Sequence, residues 1–213
     1  MPSHASPDKT RDPVVLASQI VLALQTIDSR ELSPSEPVVV TVGSIHGGAT
    51  HNVIPSEVKL QLTVRSYSEK VRAQLLEAIR RQTRGLALAA GIPDDKLPIM
   101  TVTDESSPAL CNDPALTRRV AGVYEKWFGC DHVIARHPVM GSEDFSEYNR
   151  TGHKIPVTMF WLGTVTPEVL KQTLAAGKIP PVLHSSTFKP EAEPTIKTGV
   201  TALVAATLDL LAK

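Results

Sequence analysis

The segment SEVKLQLTVRSY, residues 56–67, constrains the fold more than any other part of this sequence. Its side chains alternate strictly between apolar and polar from Val58 to Arg65. Successive side chains of a β-strand point to opposite faces of the sheet. The alternation therefore predicts a half-buried strand, with one face against an apolar layer and the other face in water.

Two helices are predicted on either side of this strand. Residues 12–27 carry apolar residues at helical spacing, and they begin with Asp12 and a proline, which is typical of a helix start. Residues 68–91 form the second predicted helix, with Ser68 as its N-terminal cap and Gly91 as its stop.

Two further strands are predicted in the same part of the chain. Residues 36–48 are a β-branched run that ends in two glycines, and residues 97–104 are another strand candidate. Residues 12–104 therefore have the order α-β-β-α-β, which is the split βαβ, or ferredoxin-like, plan without its first strand. Only eleven residues precede the first helix, and they contain no strand-like run.

The rest of the sequence predicts a second domain. A polar, turn-rich stretch at 105–114 marks a boundary, which gives domains at residues 1–106 and 107–213. Helices are predicted at 113–128, 167–176 and 194–212, a short helix at Glu143, and strands at 131–137 and 156–163. Alternating strands and helices are typical of layered α/β folds, so the predicted fold class is α/β (α+β).

Composition and charge exclude several classes of function. The formal net charge is zero and the isoelectric point is about 7.1, so no overall field attracts nucleic acid or an anionic membrane. The apolar run at 14–24 is too short and interrupted to span a bilayer, and the first residues lack the apolar core of a signal peptide. Cys111 and Cys130 have no metal-binding spacing, which predicts free, buried thiols in a cytoplasmic protein.

Two segments contain histidines whose role the pattern leaves open. His184 lies in PPVLHSSTF, between an apolar run and three hydroxyl side chains. It is either a hydrogen-bonded loop residue or one of the three or four ligands that a zinc site needs. In GGATHNVIPSEV, His51 and Asn52 follow a glycine pair. They either close a hairpin turn or place the Asn52 amide as a donor to a developing oxyanion.

The charged residues allow similar alternatives. Glu143 and Asp144 stand side by side in MGSEDFSEY, at a predicted helix N-terminus. They either complement the helix dipole beside a Ser142 cap or form the mouth of a metal or substrate site. On the pattern alone, His4 belongs to an irregular N-terminal segment and Arg65 is a solvated charge on the polar strand face.

Five segments occur in a definite order along the chain: DPVVLASQIVLALQTI, HNVIPSEVKLQLTVRSY, PVMGSEDFSEY, FWLG and PVLHSSTFKPEAEPTIKTGVTALVAATLDLL. Together they resemble the metal-dependent amidohydrolases related to hippurate hydrolase, N-acyl-amino-acid hydrolases and auxin-conjugate hydrolases, within the wider aminoacylase and zinc-exopeptidase group. The resemblance implies the C-terminal half of such an enzyme. Residues 1–106 would be its ferredoxin-like lid and dimerisation domain, lacking the first strand, and residues 107–213 the end of its catalytic α/β domain.

The resemblance also implies roles for individual residues. His184 matches the family's C-terminal metal ligand, and Asn52 matches the lid asparagine that faces the scissile carbonyl. His4 matches the lid histidine that reaches the partner subunit's active site and stabilises the oxyanion, although Ser3 stands where the family has a glycine. Arg65 matches a lid arginine that meets the substrate carboxylate.

Three more residues are implied to lie near the substrate: His51, beside the lid asparagine, and the acidic pair Glu143 and Asp144. The complete enzyme is implied to use two divalent metal ions, zinc or manganese, and to form a homodimer through the lid. Its implied substrate is an N-acyl amino acid or a small peptide.

The family's other metal ligands and its general-base glutamate belong to an N-terminal half, and their motifs are absent from this sequence. We therefore expect this chain alone to be inactive and not to hold metal stably, as a fragment or as one half of a split enzyme completed by a separate chain. The alternatives are a non-catalytic dimerisation or small-carboxylate-binding module, and an intact enzyme of unrelated mechanism that uses Glu143 and Asp144. We also expect exposed apolar faces and unpaired strand edges to favour oligomerisation or aggregation.

Overall fold

The computed structural model of the protein describes residues 7–104, 106–141, 143–180 and 183–212. These residues form two compact units. The first unit comprises the described residues up to Leu110 together with Pro138–Glu147, and the second comprises Cys111–His137 and the described residues from Tyr148 onward. The predicted domains at 1–106 and 107–213 stay a prediction. The two compact units are not continuous in sequence, because Pro138–Glu147 belongs to the first unit.

Helix α1 of the first unit, Pro13–Thr26, confirms the helix predicted at 12–27. The Asp12 carboxylate accepts a hydrogen bond from the Val14 backbone N–H at 2.8 Å, as expected of an N-cap residue. The helix continues into a π-turn, Ile27–Glu31. Its buried side chains, Leu16, Ile20 and Leu24, recur at the spacing that places them on one face.

Strands β1, Val38–His46, and β2, Lys59–Ser66, form an antiparallel hairpin that runs from the Val38–Ser66 pair to the His46–Lys59 pair. The register shifts between Val42 and Ser44, where β1 has a bulge. Leu60, Leu62 and Val64 pack against the first unit's core, whereas Lys59, Gln61 and Thr63 are exposed. The half-buried strand predicted from the alternating segment is therefore confirmed.

Helix α2, Glu69–Ala89, covers the apolar face of the hairpin. Its N-terminus is capped by Ser68, whose hydroxyl accepts a hydrogen bond from the Val71 N–H at 3.2 Å. Gly91 follows the helix with φ +71°, a left-handed conformation that favours glycine, so both predicted helix ends are confirmed. The fully buried side chains Leu24, Ile27 and Leu75 join α1 and α2 in one core.

The strand predicted at 97–104 is wrong within the described residues, because this segment has no ladder of hydrogen bonds to another strand. Leu97 and Met100 nevertheless pack against the core. An apolar pattern reports which side chains are buried, and a strand also requires a neighbour for its backbone groups.

The second unit is built around two packed helices. Helix α3, Pro114–Phe128, is capped by Asp113, and helix α6, Ala192–Leu211, packs against it. Arg119 on α3 donates from Nε to the Asp209 carboxylate on α6 at 2.6 Å. Small residues of α6 meet larger ones of α3, so the two helices approach closely; the buried set is Val120, Val123, Tyr124, Ala202, Ala205 and Ala206.

The shorter helices α4, Glu147–Arg150, and α5, Pro167–Ala175, complete the α-helices of the described residues. The helices predicted at 113–128, 167–176 and 194–212 and the short helix near Glu143 are confirmed. Cys111 and Cys130 are free, as expected, but the prediction that they are buried is wrong. Each lies where the chain turns just before or just after α3, at the surface of the unit.

The strands predicted at 131–137 and 156–163 are also wrong within the described residues. In the second of these segments, a side chain takes the place of a partner strand. The Asn112 amide donates to the Met159 carbonyl at 2.8 Å and accepts from the Met159 N–H at 2.9 Å. The Asp113 N–H also donates to the Val157 carbonyl at 2.8 Å. The α/β fold class is confirmed, with one two-stranded sheet among the described residues.

Exposed apolar side chains line much of α6, including Ile196, Val200, Leu203 and Leu208. The tendency to oligomerise that we expect from such a surface stays a prediction. No helix in the described part of the chain is long and apolar enough to cross a membrane.

Burial raises the pKa of the Tyr124 phenol above its usual value of 10.0. The folded chain therefore keeps this phenol protonated at a pH where the unfolded chain ionises it, so we expect the free energy of unfolding to fall as the pH rises above about 10. Tyr124→Phe is expected to reduce this fall. At pH 7 it should be neutral or stabilising by up to ~1 kcal/mol, because the hydroxyl is buried without a hydrogen-bond partner among the described residues.

Urea unfolding at pH 7 and at about pH 10.5 measures both effects, because phenol ionisation separates the two conditions. Tyr148→Phe, at an exposed tyrosine, is the control and should leave the fall in stability unchanged. A Tyr124→Phe protein with the full wild-type fall would contradict the assignment.

Candidate functional site

The loop between β1 and β2 is shaped by two glycines. A Cβ at Gly47 would lie 2.6 Å from Cγ2 of Val58, so this close approach of the chain requires glycine. Gly48 has φ +79°, which also favours glycine. The loop then turns at His51 and Asn52, and both residues are exposed.

This loop and the start of α1 line an open groove of about 560 Å³. Its polar lining includes Asp12, Thr50 and His51, and its apolar lining includes Val53 and Ile54. The Asp12 carboxylate already accepts the Val14 N–H as the cap of α1, so it has a structural role at the edge of the groove. The sequence pattern did not predict that α1 and the loop would meet here.

Arg65 lies near the end of β2 and is half-buried. Its Nη1 donates a hydrogen bond of 2.5 Å to the backbone carbonyl of Met140. This bond joins the hairpin to the segment Pro138–Glu147, which belongs to the same unit. The interpretation of Arg65 as a solvated strand residue is therefore wrong. Sequence reasoning missed Met140 because its contribution is a backbone carbonyl, which every residue carries.

The acidic pair opens a short turn, the 3₁₀ helix Asp144–Ser146. Glu143 Oε1 accepts hydrogen bonds from the Asp144 N–H at 3.0 Å and the Phe145 N–H at 3.3 Å. Glu143 is therefore the N-cap, whereas Ser142, the cap suggested by the sequence, lies outside the described residues. Ser146 is only 2% exposed and donates from Oγ to the Glu143 carbonyl at 3.1 Å. Asp144 is exposed.

His184 belongs to the second unit and is exposed. Its φ is +65°, which is uncommon for a residue with a side chain, although histidine tolerates it better than most. The following turn is held by a hydrogen bond between the Ser185 and Thr187 hydroxyls at 2.7 Å and by one from the Phe188 N–H to the Ser185 carbonyl at 3.0 Å. The imidazole is thus presented by an ordered turn.

The structure brings together some of the predicted site residues. His51 and Asn52 share the β1–β2 loop, and Arg65 contacts the segment that carries Glu143 and Asp144. His4 lies outside the described residues. Across the described ranges, no three or more His, Cys, Asp or Glu side chains are grouped as metal ligands. The donors of the described residues therefore do not form a complete metal site by themselves.

Residues 2–89 match the family of peptidase dimerisation domains found in M20 enzymes. The chain is 36% identical over 163 residues to an N-acetyldiaminopimelate deacetylase of Leuconostoc citreum, an alignment that covers 75% of this chain and 40% of that protein. Residues 2–89 belong to the M20 peptidase dimerisation-domain family. The chain spans about two fifths of the length of the curated relatives that it matches.

Solved structures agree with this assignment. The chain is similar to a putative aminohydrolase from methicillin-resistant Staphylococcus aureus, with a TM-score of 0.74, 29% identity, and coverage of 99% of this chain and 49% of the other. A dinuclear metal binding peptidase of the M20 family from Bacillus subtilis shares the fold, with a TM-score of 0.62, 22% identity, and coverage of 94% of this chain and 47% of the other. The predicted family is therefore confirmed, and its members include metal-dependent hydrolases.

Proposed function

We propose that this chain forms the lid, the dimer interface and part of the substrate site of a metal-dependent M20 hydrolase that cleaves the amide bond of N-acyl amino acids. One observation carries the proposal: the half-buried guanidinium of Arg65 is oriented by the Met140 carbonyl. A guanidinium has five N–H donors in a planar fork that matches a carboxylate. An arginine held in this way binds the carboxylate end of such a substrate.

The other site residues have complementary proposed roles. Asn52, from the exposed loop, donates to the scissile carbonyl, and His4 of the partner subunit stabilises the oxyanion. His51 lines the groove beside this loop and contacts the acyl group. Support for the homodimer comes from the match to a dimerisation domain, and support for an N-acyl substrate comes from the similarity to an N-acetyldiaminopimelate deacetylase.

Catalysis also needs an activated water, which two zinc or manganese ions would supply in the complete site. We propose that His184 is one of their ligands and that the others come from a separate half of the enzyme, so that this chain alone does not hydrolyse amides. Support comes from ligand chemistry, because a catalytic zinc needs about three protein ligands and His184 supplies one. Asp144 is exposed and begins the 3₁₀ turn in the segment that contacts Arg65 through Met140, and we propose that it contacts the substrate.

A second candidate function is a non-catalytic module that dimerises and binds small carboxylates. The observation that favours it is that Arg65 is anchored entirely within the first unit, whereas His184 belongs to the second. Carboxylate binding would then be independent of any metal. Measurements with and without added zinc or manganese distinguish the two functions. Only the enzyme hydrolyses an amide once the missing ligands and the metal are supplied, whereas the binding module binds carboxylates equally well without metal.

The proposed role of Arg65 predicts how the full chain binds hippurate, which carries a carboxylate, and its amide, which does not. Arg65→Ala is expected to weaken hippurate binding about 10- to 100-fold, because a charge-assisted pair is lost. Binding of the amide should change little. Calorimetry or NMR titration measures both dissociation constants. Arg84→Ala, at an exposed arginine of α2, is the matched control. An equal loss of hippurate affinity in Arg65→Ala and Arg84→Ala would refute the proposed role of Arg65, and so would equal affinity of the wild type for hippurate and its amide.

A further inference from the structure

The segment Pro138–Glu147 has a role of its own in the first unit. We propose that Glu143 is a positioning residue: its carboxylate closes the turn that follows Met140 in the chain, and the Met140 carbonyl sets the plane of the Arg65 guanidinium. The functional consequence of this arrangement rests on the proposed function, since Arg65 is the proposed carboxylate donor. The arrangement itself is independent of any ligand.

The first step is the cap. Glu143 has extended backbone, with φ −152° and ψ 132°, and a single side-chain oxygen accepts the two N–H groups that open the turn. These N–H groups would otherwise lack partners within the short helix. The cap uses an oxygen acceptor, and an amide oxygen can replace it. The negative charge of Glu143 is therefore dispensable for this role.

The second step is the anchor. Ser146 is 2% exposed, and its hydroxyl donates back to the Glu143 carbonyl. A buried hydroxyl without its hydrogen bond is costly, so this bond keeps the turn closed from the other side. The side chain and the backbone of Glu143 are thus both fixed by groups of the same turn.

The third step is the transfer to Arg65. Met140 lies in the same segment and is half-buried, and its carbonyl accepts the Arg65 Nη1–H. The guanidinium is planar, so holding one N–H restricts the direction of the remaining donors. If the turn opens, the chain that follows Met140 is no longer fixed at Glu143, so the Met140 carbonyl and the guanidinium bound to it are freer to move. Binding of a planar carboxylate then costs additional side-chain entropy.

A carboxylate that instead contacts substrate or metal would act through its charge, and one substitution separates the two roles. Glu143→Gln keeps an oxygen for the cap and removes the charge, whereas Glu143→Ala removes both. The positioning role therefore predicts rescue by glutamine. A direct electrostatic role predicts that glutamine and alanine are equally damaging.

The readout is the Arg65 side chain in the full chain, measured by NMR of its guanidinium nitrogens. A hydrogen bond at Nη1 slows rotation about the Cζ–Nη1 bond. We expect similar slow rotation in the wild type and Glu143→Gln, and about tenfold faster rotation in Glu143→Ala, as loss of a hydrogen bond to a charged group implies. Ser146→Ala removes only the anchoring hydroxyl and should act in the same direction. Backbone amide spectra show whether each variant is folded. If Glu143→Ala is unfolded, the rotation rate is compared in Ser146→Ala instead.

Hippurate titration of the same proteins is the second readout. The dissociation constant should rise about tenfold in Glu143→Ala and stay within about twofold of the wild type in Glu143→Gln. Two results would overturn the positioning role. One is an unchanged rate of Arg65 rotation in folded Glu143→Ala or Ser146→Ala, and the other is an equal loss of hippurate affinity in Glu143→Ala and Glu143→Gln. A third outcome separates the two proposals. If Arg65 rotation follows the predicted order among the variants but the wild type does not bind hippurate, the positioning role is upheld and the proposed substrate class is refuted.

Discussion

Replacement of His184 by alanine is expected to reduce amide hydrolysis about a thousandfold or more, because loss of one of very few metal ligands removes a contribution of several kcal/mol to transition-state stabilisation. The measurement requires an active preparation, which we expect from this chain co-expressed with a polypeptide that carries the remaining ligands and the general base. Hippurate turnover and bound metal are then compared between wild type and variant. His153→Ala, at another exposed histidine of the second unit, is the matched control.

The backbone at His184 makes this prediction sharper. A non-glycine residue at φ +65° carries a cost of about 1 kcal/mol that a purely structural loop would not need. His184→Gly should therefore stabilise the second unit by about 0.5–1 kcal/mol while removing turnover, a combination expected where strain is kept for function. Turnover within tenfold of wild type in His184→Ala, with metal content unchanged, would show that His184 is not a ligand.

The helices were the most predictable part of the fold because their ends carry local chemistry. Asp12, Ser68 and Asp113 each accept a backbone N–H of the first turn, and each has the short polar side chain that this geometry requires. Gly91 likewise ends α2 at a positive φ. Such signals depend only on neighbouring residues, so the sequence was sufficient to predict them.

The strands and the site were less predictable because they depend on distant partners. The segments at 97–104 and 156–163 have apolar patterns, yet one lacks a strand partner among the described residues and the other bonds to the Asn112 side chain. The contact between Arg65 and the Met140 carbonyl joins residues 75 positions apart through a group that has no sequence signature. The family resemblance pointed to Arg65, but the structure was needed to show how it is held.

Leu24→Ala is expected to lower the stability of the first unit by about 2–5 kcal/mol, since removing a fully buried leucine loses transfer free energy and leaves a cavity. Leu24 is 1% exposed on α1, whereas Leu22 on the same helix is 72% exposed. Leu22→Ala is therefore the matched control, and it should change stability by less than about 0.5 kcal/mol.

Hydrogen exchange of the buried amides of α2 measures the first unit directly, because the Leu24 and Leu75 side chains belong to the same core cluster. Tryptophan fluorescence reports the second unit separately, since Trp127 and Trp161 both belong to it. Equal effects of Leu24→Ala and Leu22→Ala on α2 exchange would contradict the packing of α1 against α2. A selective effect of Leu24→Ala would show that this core supports the hairpin that carries Arg65, and therefore the carboxylate site that we propose.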